Sequence, residues 1–424
     1  MGLYAFELGR IKNLSLAELN SVLGEENFVE KVWEFAIFNL GSESKKGKAG
    51  AKSTPPSFDS ESLQNRLGGT IKIAEIVETL DKNAKESEIR TSIENLLTDN
   101  LKDSSGKIPF AISAINIQGN SKFFLKDFLN YSKKILKSFG LNCRFVNKPW
   151  MNPSPAQVYK SKAISKGVDI TVIRGQSLYI AKSVAIQNID AYSARDFEKP
   201  FRDARMGMLP PKLAQMMINF ADGASDNNSA KFVFDPFCGS GTILLEAILQ
   251  GKQAIGSDID TRAVEGTKKN IEWLKENFKN TLKIAHGDKA DSITAEVFQR
   301  DIAKITAKDL PKEVDAIVTE GYLGLPASRI IPSEERAKRF DEIATLHSSW
   351  LGNLKNILPK ESFKNLTIVL TLPAFAIGNN KHDFFPNPKE FFGFLGYKIL
   401  NKEVLVYDRE DQFIAREIVI LKTQ

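Results

Sequence analysis

The sequence predicts an α/β protein: a mainly parallel C-terminal sheet with helices on both faces, preceded by an N-terminal α/β region. Three observations carry this expectation. From Lys231 onward, short continuous apolar runs alternate with helical stretches, which is the pattern of strands buried on both sides. Before that point, strand-like and helix-like segments are mixed with a dense run of lysines. The length, 424 residues, suits two or three domains with ample core.

Residues 1–178 are expected to form the N-terminal region, 179–230 a linker that covers a ligand, and 231–424 the parallel-sheet domain. The opening YAFELGRIKNLSLAELNSVL reads as a strand feeding a helix, with Ser15 as N-cap and Glu18 completing a capping box. Residues 41–60, rich in Ser, Gly, Lys and Pro with almost nothing to bury, are expected to be a flexible insertion. RLGGTIKIAEIV, residues 66–77, reads as a glycine turn and an alternating strand. Residues 128–139 read as a lysine-bearing amphipathic helix before a strand at 143–146, and the alternation continues through 158–173. In the C-terminal half, strands are expected at 232–234, 253–257, 282–285, 314–318, 366–371, 397–406 and 413–421. Turn chemistry at 408–412 makes the last of them antiparallel.

Composition removes several function classes. Two cysteines, Cys143 and Cys238, and three histidines support neither a disulfide framework nor a structural zinc site. No apolar run approaches the roughly 18 residues of a spanning helix. The start MGLYAFELGR lacks the basic and apolar parts of a secretion signal, and Phe6 stands where myristoylation of Gly2 needs Ser or Thr, so a cytoplasmic location is expected. Net charge is +6, but residues 101–180 hold thirteen Lys/Arg against three Asp, so that block carries +10 and the remainder −4. A basic block on a mildly acidic body fits a polyanionic partner. A solvated lysine-rich surface is the competing reading.

The chemistry concentrates in FVFDPFCGSGTILLEAIL, residues 232–249. A buried strand ends at Asp235, Gly239 and Gly241 allow a close approach to a ligand, and a helix follows whose free N–H groups favour an anionic group. A dinucleotide fingerprint is not met, because Leu244 occupies the third glycine position. Asp258, in AIGSDID, stands nineteen residues after Gly239, where a carboxylate can accept from both ribose hydroxyls. Asp288, in HGDKAD, is expected one strand later, placed for an adenine amino group. Three carboxylates at the ends of successive strands converge on the crevice of an open sheet. An adenosine with an amino-acid end and no pyrophosphate points to S-adenosyl-L-methionine as cofactor.

DPFCGSGTILLEAI followed by SDID resembles the cofactor loop of class I methyltransferases, and specifically of the RNA methylases that carry a THUMP domain. RDARMGMLPPKLAQMMINFA (202–221), RLGGTIKIAEI, AYSARDFEKPFRDAR and YDREDQFIAREIVILK are similar to further segments of that family, so the resemblance spans nearly the whole chain. It is strongest to the archaeal and eukaryotic enzymes that methylate a guanosine exocyclic amine in tRNA. QVYKSKAISKGVDITVI, residues 157–173, resembles part of a THUMP domain, which in the family binds the acceptor end of the RNA. The resemblance implies a Rossmann-like sheet of seven strands with the last antiparallel, a THUMP-like RNA-binding region before it, tRNA as partner, and a possible small activator subunit as in the eukaryotic relatives. It places Asp235, Gly239 and Gly241 at the methionine part of the cofactor, Asp258 at the ribose and Asp288 at the adenine, with Pro236, Cys238, Thr242 and Ile259 also in the cofactor site. Arg205, Met208, Pro210 and Lys212 would close over the amino-acid end, unless that segment is only a Pro-started helix packed on the sheet. Lys133, Lys134, Lys137, Arg144, Lys160, Lys162 and Lys166 would contact RNA.

In this family the fourth sheet strand ends in a D/N-P-P-Y/F turn. An acceptor side chain and a backbone carbonyl hold the N–H bonds of the target amine while the aromatic ring stacks on the flipped base. Here VDAIVTEGYLGLP supplies Thr319, Glu320, Gly321 and Tyr322, with the aromatic present and both prolines missing. Aligning the tyrosines puts Thr319 in the acceptor position; aligning the carboxylates puts Glu320 there, in a turn one residue shorter. The second alignment is favoured, since only Glu320 accepts strongly and Gly321 permits a tight turn. Three other readings remain open: a DNA amine methyltransferase, an RNA-binding protein that keeps the pocket without the reaction, and a Tyr322 ring packed under the sheet end.

Overall fold

The computed structural model describes residues 2–41, 59–117, 119–203, 208–225, 230–287, 295–310, 314–379, 381–410 and 412–424. Most of the expected flexible insertion, 42–58, lies outside the described residues, as do Arg205 and Asp288. The chain divides into two compact units, Met1–Ala191 and Tyr192–Gln424.

The first unit is built on eight strands: β1 (Leu3–Leu8), β2 (Phe28–Val32), β3 (Phe35–Asn39), β4 (Thr70–Leu80), β5 (Lys107–Ile115), β6 (Asn142–Phe145), β7 (Val168–Arg174) and β8 (Leu178–Ile186). They form one sheet in the order β2-β3-β1-β4-β8-β7-β5-β6. Strand β5 runs parallel to β6 and β7, and the remaining pairs are antiparallel. Helices Glu86–Leu101 and Ser121–Ser138 cover the β5 side, where Ile93, Leu97, Phe128 and Leu129 meet Ile112 and Ile170 in one core. Each such buried side chain contributes about 1.5–3 kcal/mol.

Two expectations for this unit are corrected. The first helix starts at Lys12, so Ser15 lies inside it and bonds back to the Ile11 carbonyl at 3.1 Å. Glu18 closes no capping box; its carboxylate accepts from the N–H groups of Gly68 and Gly69 at 2.9 and 2.7 Å. Gly69 is needed there because a Cβ would fall 2.8 Å from the Ser15 hydroxyl oxygen. The expected linker 179–230 is no separate segment either. Strand β8 completes the first sheet, with β4 and β7 on its two sides, while helix Pro211–Ala224 belongs to the second unit.

The second unit holds β9 (Phe232–Asp235), β10 (Gln253–Asp258), β11 (Glu296–Gln299), β12 (Ala316–Thr319), β13 (Thr367–Gly378), β14 (Lys381–Phe384), β15 (Tyr397–Ile399), β16 (Leu405–Tyr407) and β17 (Ile414–Thr423). The main path is β11-β10-β9-β12-β13-β17-β15, with β14 added to β13 and β16 to β17. Strands β9 to β13 pair in parallel, and β17 runs antiparallel to β13. The main path has the expected Rossmann-like order with a reversed strand, but the sheet has nine strands where seven are expected. The core gathers Phe234, Leu370, Phe375 and Trp350, and β13 is buried continuously from Thr367 to Phe375.

The strand expected at 282–285 is a helix, Lys279–His286. Leu282 is buried, Gly287 at φ +58° ends the helix, and a His286 ring nitrogen meets the Ile248 carbonyl at 2.6 Å. The third parallel strand is instead β11, fourteen residues further on than expected. The run expected at 397–406 is also split, into β15 and β16, which pair with different stretches of β17.

Candidate active site

A cavity of about 550 Å³ opens at the C-terminal ends of β9, β10 and β12. The sheet order reverses between β9 and β12, which is where open parallel sheets bind ligands.

One end is built from the glycine turn. The Asp258 carboxylate accepts from the N–H groups of Gly239 and Asp260, each at 2.9 Å, so it fixes the turn across nineteen residues. Thr267 donates to the Gly239 carbonyl at 2.8 Å and Asn270 to the Ser240 carbonyl at 2.8 Å, binding the loop to helix Thr261–Asn277. Gly241 adopts φ +78°, and a Cβ there would sit 2.6 Å from a Thr267 methyl. Cys238 is buried and its thiol is pushed well up by that burial, which makes it a packing residue rather than a nucleophile. Asp235 is also buried; it accepts from the Phe237 N–H at 3.1 Å and bonds the Thr319 hydroxyl, and burial raises its pKa to about 7. Burial also raises Asp258 above the usual carboxylate range.

The other end is the turn after β12. Thr319 is fully buried and its hydroxyl accepts from the Gly321 N–H at 3.1 Å. Gly321 adopts φ +71°, the conformation that favours glycine. The Glu320 carbonyl accepts from Thr371 at 2.6 Å, whereas the Gly321 carbonyl has no partner among the described residues. The Glu320 carboxylate faces the cavity and pairs with Arg416 of β17. Tyr322 is 38 % exposed and lines the cavity, so it is not packed under the sheet end.

The segment ahead of the sheet packs beside the glycine turn. The Phe201 N–H donates to Asn270 Oδ1 at 2.8 Å and its carbonyl accepts from Asn270 Nδ2 at 2.9 Å, and a Cβ on Gly266 would collide with its ring. Lys199 donates to the Thr242 hydroxyl at 2.9 Å, and burial brings its pKa down to about 8. Arg195 and Glu246 form a buried ion pair at 2.6 Å. Sequence reasoning passed over both pairs.

Of the sequence-derived residues, Asp235, Cys238, Gly239, Thr242, Asp258, Ile259, Glu320, Gly321 and Tyr322 line this one cavity. Gly241 and Pro236 sit behind it in the turn, and Thr319 behind it on β12. From the covering segment, Leu209 and Asp203 line the cavity, not Met208, Pro210 or Lys212. Pro210 caps helix Pro211–Ala224, and the Lys212 ammonium lies 5.1 Å from the Tyr192 ring centroid. With the third strand relocated, the carboxylate that follows it is Asp301, two residues past the end of β11. Asp301 accepts from the Ala303 N–H at 3.0 Å, and the neighbouring Arg300 N–H bonds the Asp258 carbonyl at 2.9 Å.

In the first unit, Arg144 and Lys160 border a second cavity of about 450 Å³. Lys134, Lys137, Lys162 and Lys166 are exposed, and Lys133 lies 5.6 Å from the Phe145 ring centroid.

Residues 200–321 match UPF0020, the RMKL-like methyltransferase domain family. The chain is 34% identical over 148 residues to the tRNA (guanine(10)-N2)-dimethyltransferase of Methanothermobacter thermautotrophicus, covering 34% of this chain and 36% of that protein. It is 26% identical over 223 residues to the enzyme of the same name from Pyrococcus abyssi, covering 52% and 55%. The matched stretches thus span about a third to a half of these curated relatives. Among solved structures, one described as a predicted N6-adenine-specific DNA methylase from Listeria monocytogenes aligns over 98% of this chain and 95% of its own, at 13% identity and a TM-score of 0.42. The glycine turn, the strand-end carboxylates Asp235 and Asp258, and Glu320 all fall within residues 200–321, the segment that is similar to the RMKL-like methyltransferase domain.

Proposed function

We propose that the protein is an S-adenosylmethionine-dependent methyltransferase that modifies the exocyclic amine of a guanosine in tRNA. The observation that carries this reading is one cavity with two unlike ends, a glycine turn fixed by Asp258 and a turn presenting Glu320 and Tyr322. The residues at the first end fit the cofactor. Asp258 keeps lone pairs for ribose hydroxyls, Asp235 can hold an ammonium, and Asp301 follows the strand next to Asp258 and is the carboxylate we assign to the adenine amine. The cofactor supplies an electrophilic methyl group.

At the other end, the Glu320 carboxylate and the Gly321 carbonyl accept the N–H bonds of the target amine and orient its lone pair. After transfer, Glu320 takes the proton that the methylated nitrogen sheds. The exposed Tyr322 ring offers a stacking face for a base turned out of its helix. Arg144, Lys134, Lys137 and Lys160, with Lys133, Lys162 and Lys166, supply the phosphate contacts, so binding weakens steeply with salt. The two curated relatives named for tRNA guanine methylation support the choice of RNA. A cytoplasmic site of action and a possible activating subunit belong to the same reading. Given equal amounts of unmodified tRNA and duplex DNA with labelled methyl donor, the protein is expected to label the RNA alone. Label in the DNA would overturn the assignment.

A further inference from the structure

The amine end of the cavity contains a side chain that no sequence motif marks. Arg416 lies on β17, is 5 % exposed, and lines the cavity beside Glu320. Its Nε donates to Glu320 Oε1 and its Nη1 to Gln412 Oε1 at 3.1 Å. Nη2 has no partner among the described residues, and neither does the second carboxylate oxygen of Glu320. The cavity therefore offers an acceptor and a charged donor side by side. A buried guanidinium is costly unless its donors are used, and an ion pair through Nε alone leaves the fork half empty.

The Watson–Crick edge of guanine presents N2–H and N1–H as donors followed by O6 as acceptor. A carboxylate complements the first two and a guanidinium the third. Adenine and cytosine each place a lone pair beside the exocyclic amine, where a carboxylate oxygen would repel it. We propose that Arg416 donates to O6 of the target guanine while its Nε holds Glu320 in position, so that the pair selects the base. This rests on the reading of the site as a guanosine-amine methyltransferase.

The test uses synthetic tRNA in which the methylated nucleotide is either guanosine or 6-thioguanosine. Sulfur keeps the N1–H and the N2 amine but accepts hydrogen bonds weakly. The wild-type protein is expected to favour guanosine by about tenfold in kcat/KM. Arg416→Gln is expected to be slower on both and to lose the preference, and Arg416→Lys, which keeps a charged donor, to recover part of it. An undiminished preference in Arg416→Gln would overturn the contact with O6 and leave Arg416 as a positioning residue for Glu320. Should Arg416→Gln fail to fold by thermal melting, the wild-type ratio decides, and a ratio near one overturns the proposal. If the wild-type protein places no methyl on the guanosine amine of either RNA, the reading beneath it falls and the proposal falls with it.

Discussion

The two ends of the cavity hold their carboxylates in opposite ways. Asp258 is fixed by backbone: its oxygens accept from Gly239 and Asp260, in the loop it shapes and in its own turn. Glu320 is fixed by a side chain, Arg416, ninety-six residues away on an antiparallel strand. Backbone bonds hold a geometry with little freedom to move, which suits a ligand that is the same in every turnover. A side-chain ion pair can rearrange when a base enters, and it places a donor next to the acceptor. In the proposed reading the rigid end binds the cofactor, and the adjustable end receives the base to be methylated.

The sharpest way to break this contrast is to neutralise each carboxylate in turn. Glu320→Gln is expected to lower the single-turnover rate about 10²- to 10⁴-fold while calorimetry finds cofactor affinity unchanged. A parallel loss of affinity would mean the two ends are not separate. Asp258→Ala is expected to weaken S-adenosylhomocysteine binding about 10- to 100-fold and to lower thermal stability, because it strands the N–H groups of Gly239 and Asp260. An unchanged dissociation constant would remove Asp258 from the cofactor site.

A smaller effect sharpens the rigid end further. With its pKa raised to about 7 by burial, Asp235 stays protonated in the free protein up to that pH, yet it must be ionised to hold the cofactor ammonium. Affinity is thus expected to fall about tenfold for each pH unit below 7 and to level off above it, with Asp235→Asn weak at every pH. The same raised pKa makes the unliganded fold lose stability as pH rises toward 7, a decline that Asp235→Asn should lessen. A flat binding profile in the wild-type protein would show that Asp235 does not meet the ammonium.

How much was legible in the sequence follows the same division. The glycine turn and Asp258 were readable because their spacing is set by one strand, one loop and the next strand, all local. The third strand was misplaced because LKIA, with its alternating apolar residues, resembles a strand, whereas β11 is a four-residue edge strand with exposed ends. That error carried the expected adenine carboxylate to Asp288, which lies outside the described residues, whereas the carboxylate that follows β11 is Asp301. An acidic residue two positions after EVFQ was the available signal. Arg416 offered none, since its place beside Glu320 depends on the pairing of β17 with β13, which sets Arg416 opposite Pro373. Tyr322 and Glu320 were recognisable as residue types, but the buried Thr319 hydroxyl bridging Asp235 and the Gly321 N–H shows itself only in three dimensions.

The most direct test of the central claim is nucleoside analysis of unmodified tRNA after incubation with the protein and labelled S-adenosylmethionine. The account predicts label in N2-methylguanosine or its dimethyl form. Label in another nucleoside, or none from a sample shown to bind the cofactor, would contradict it.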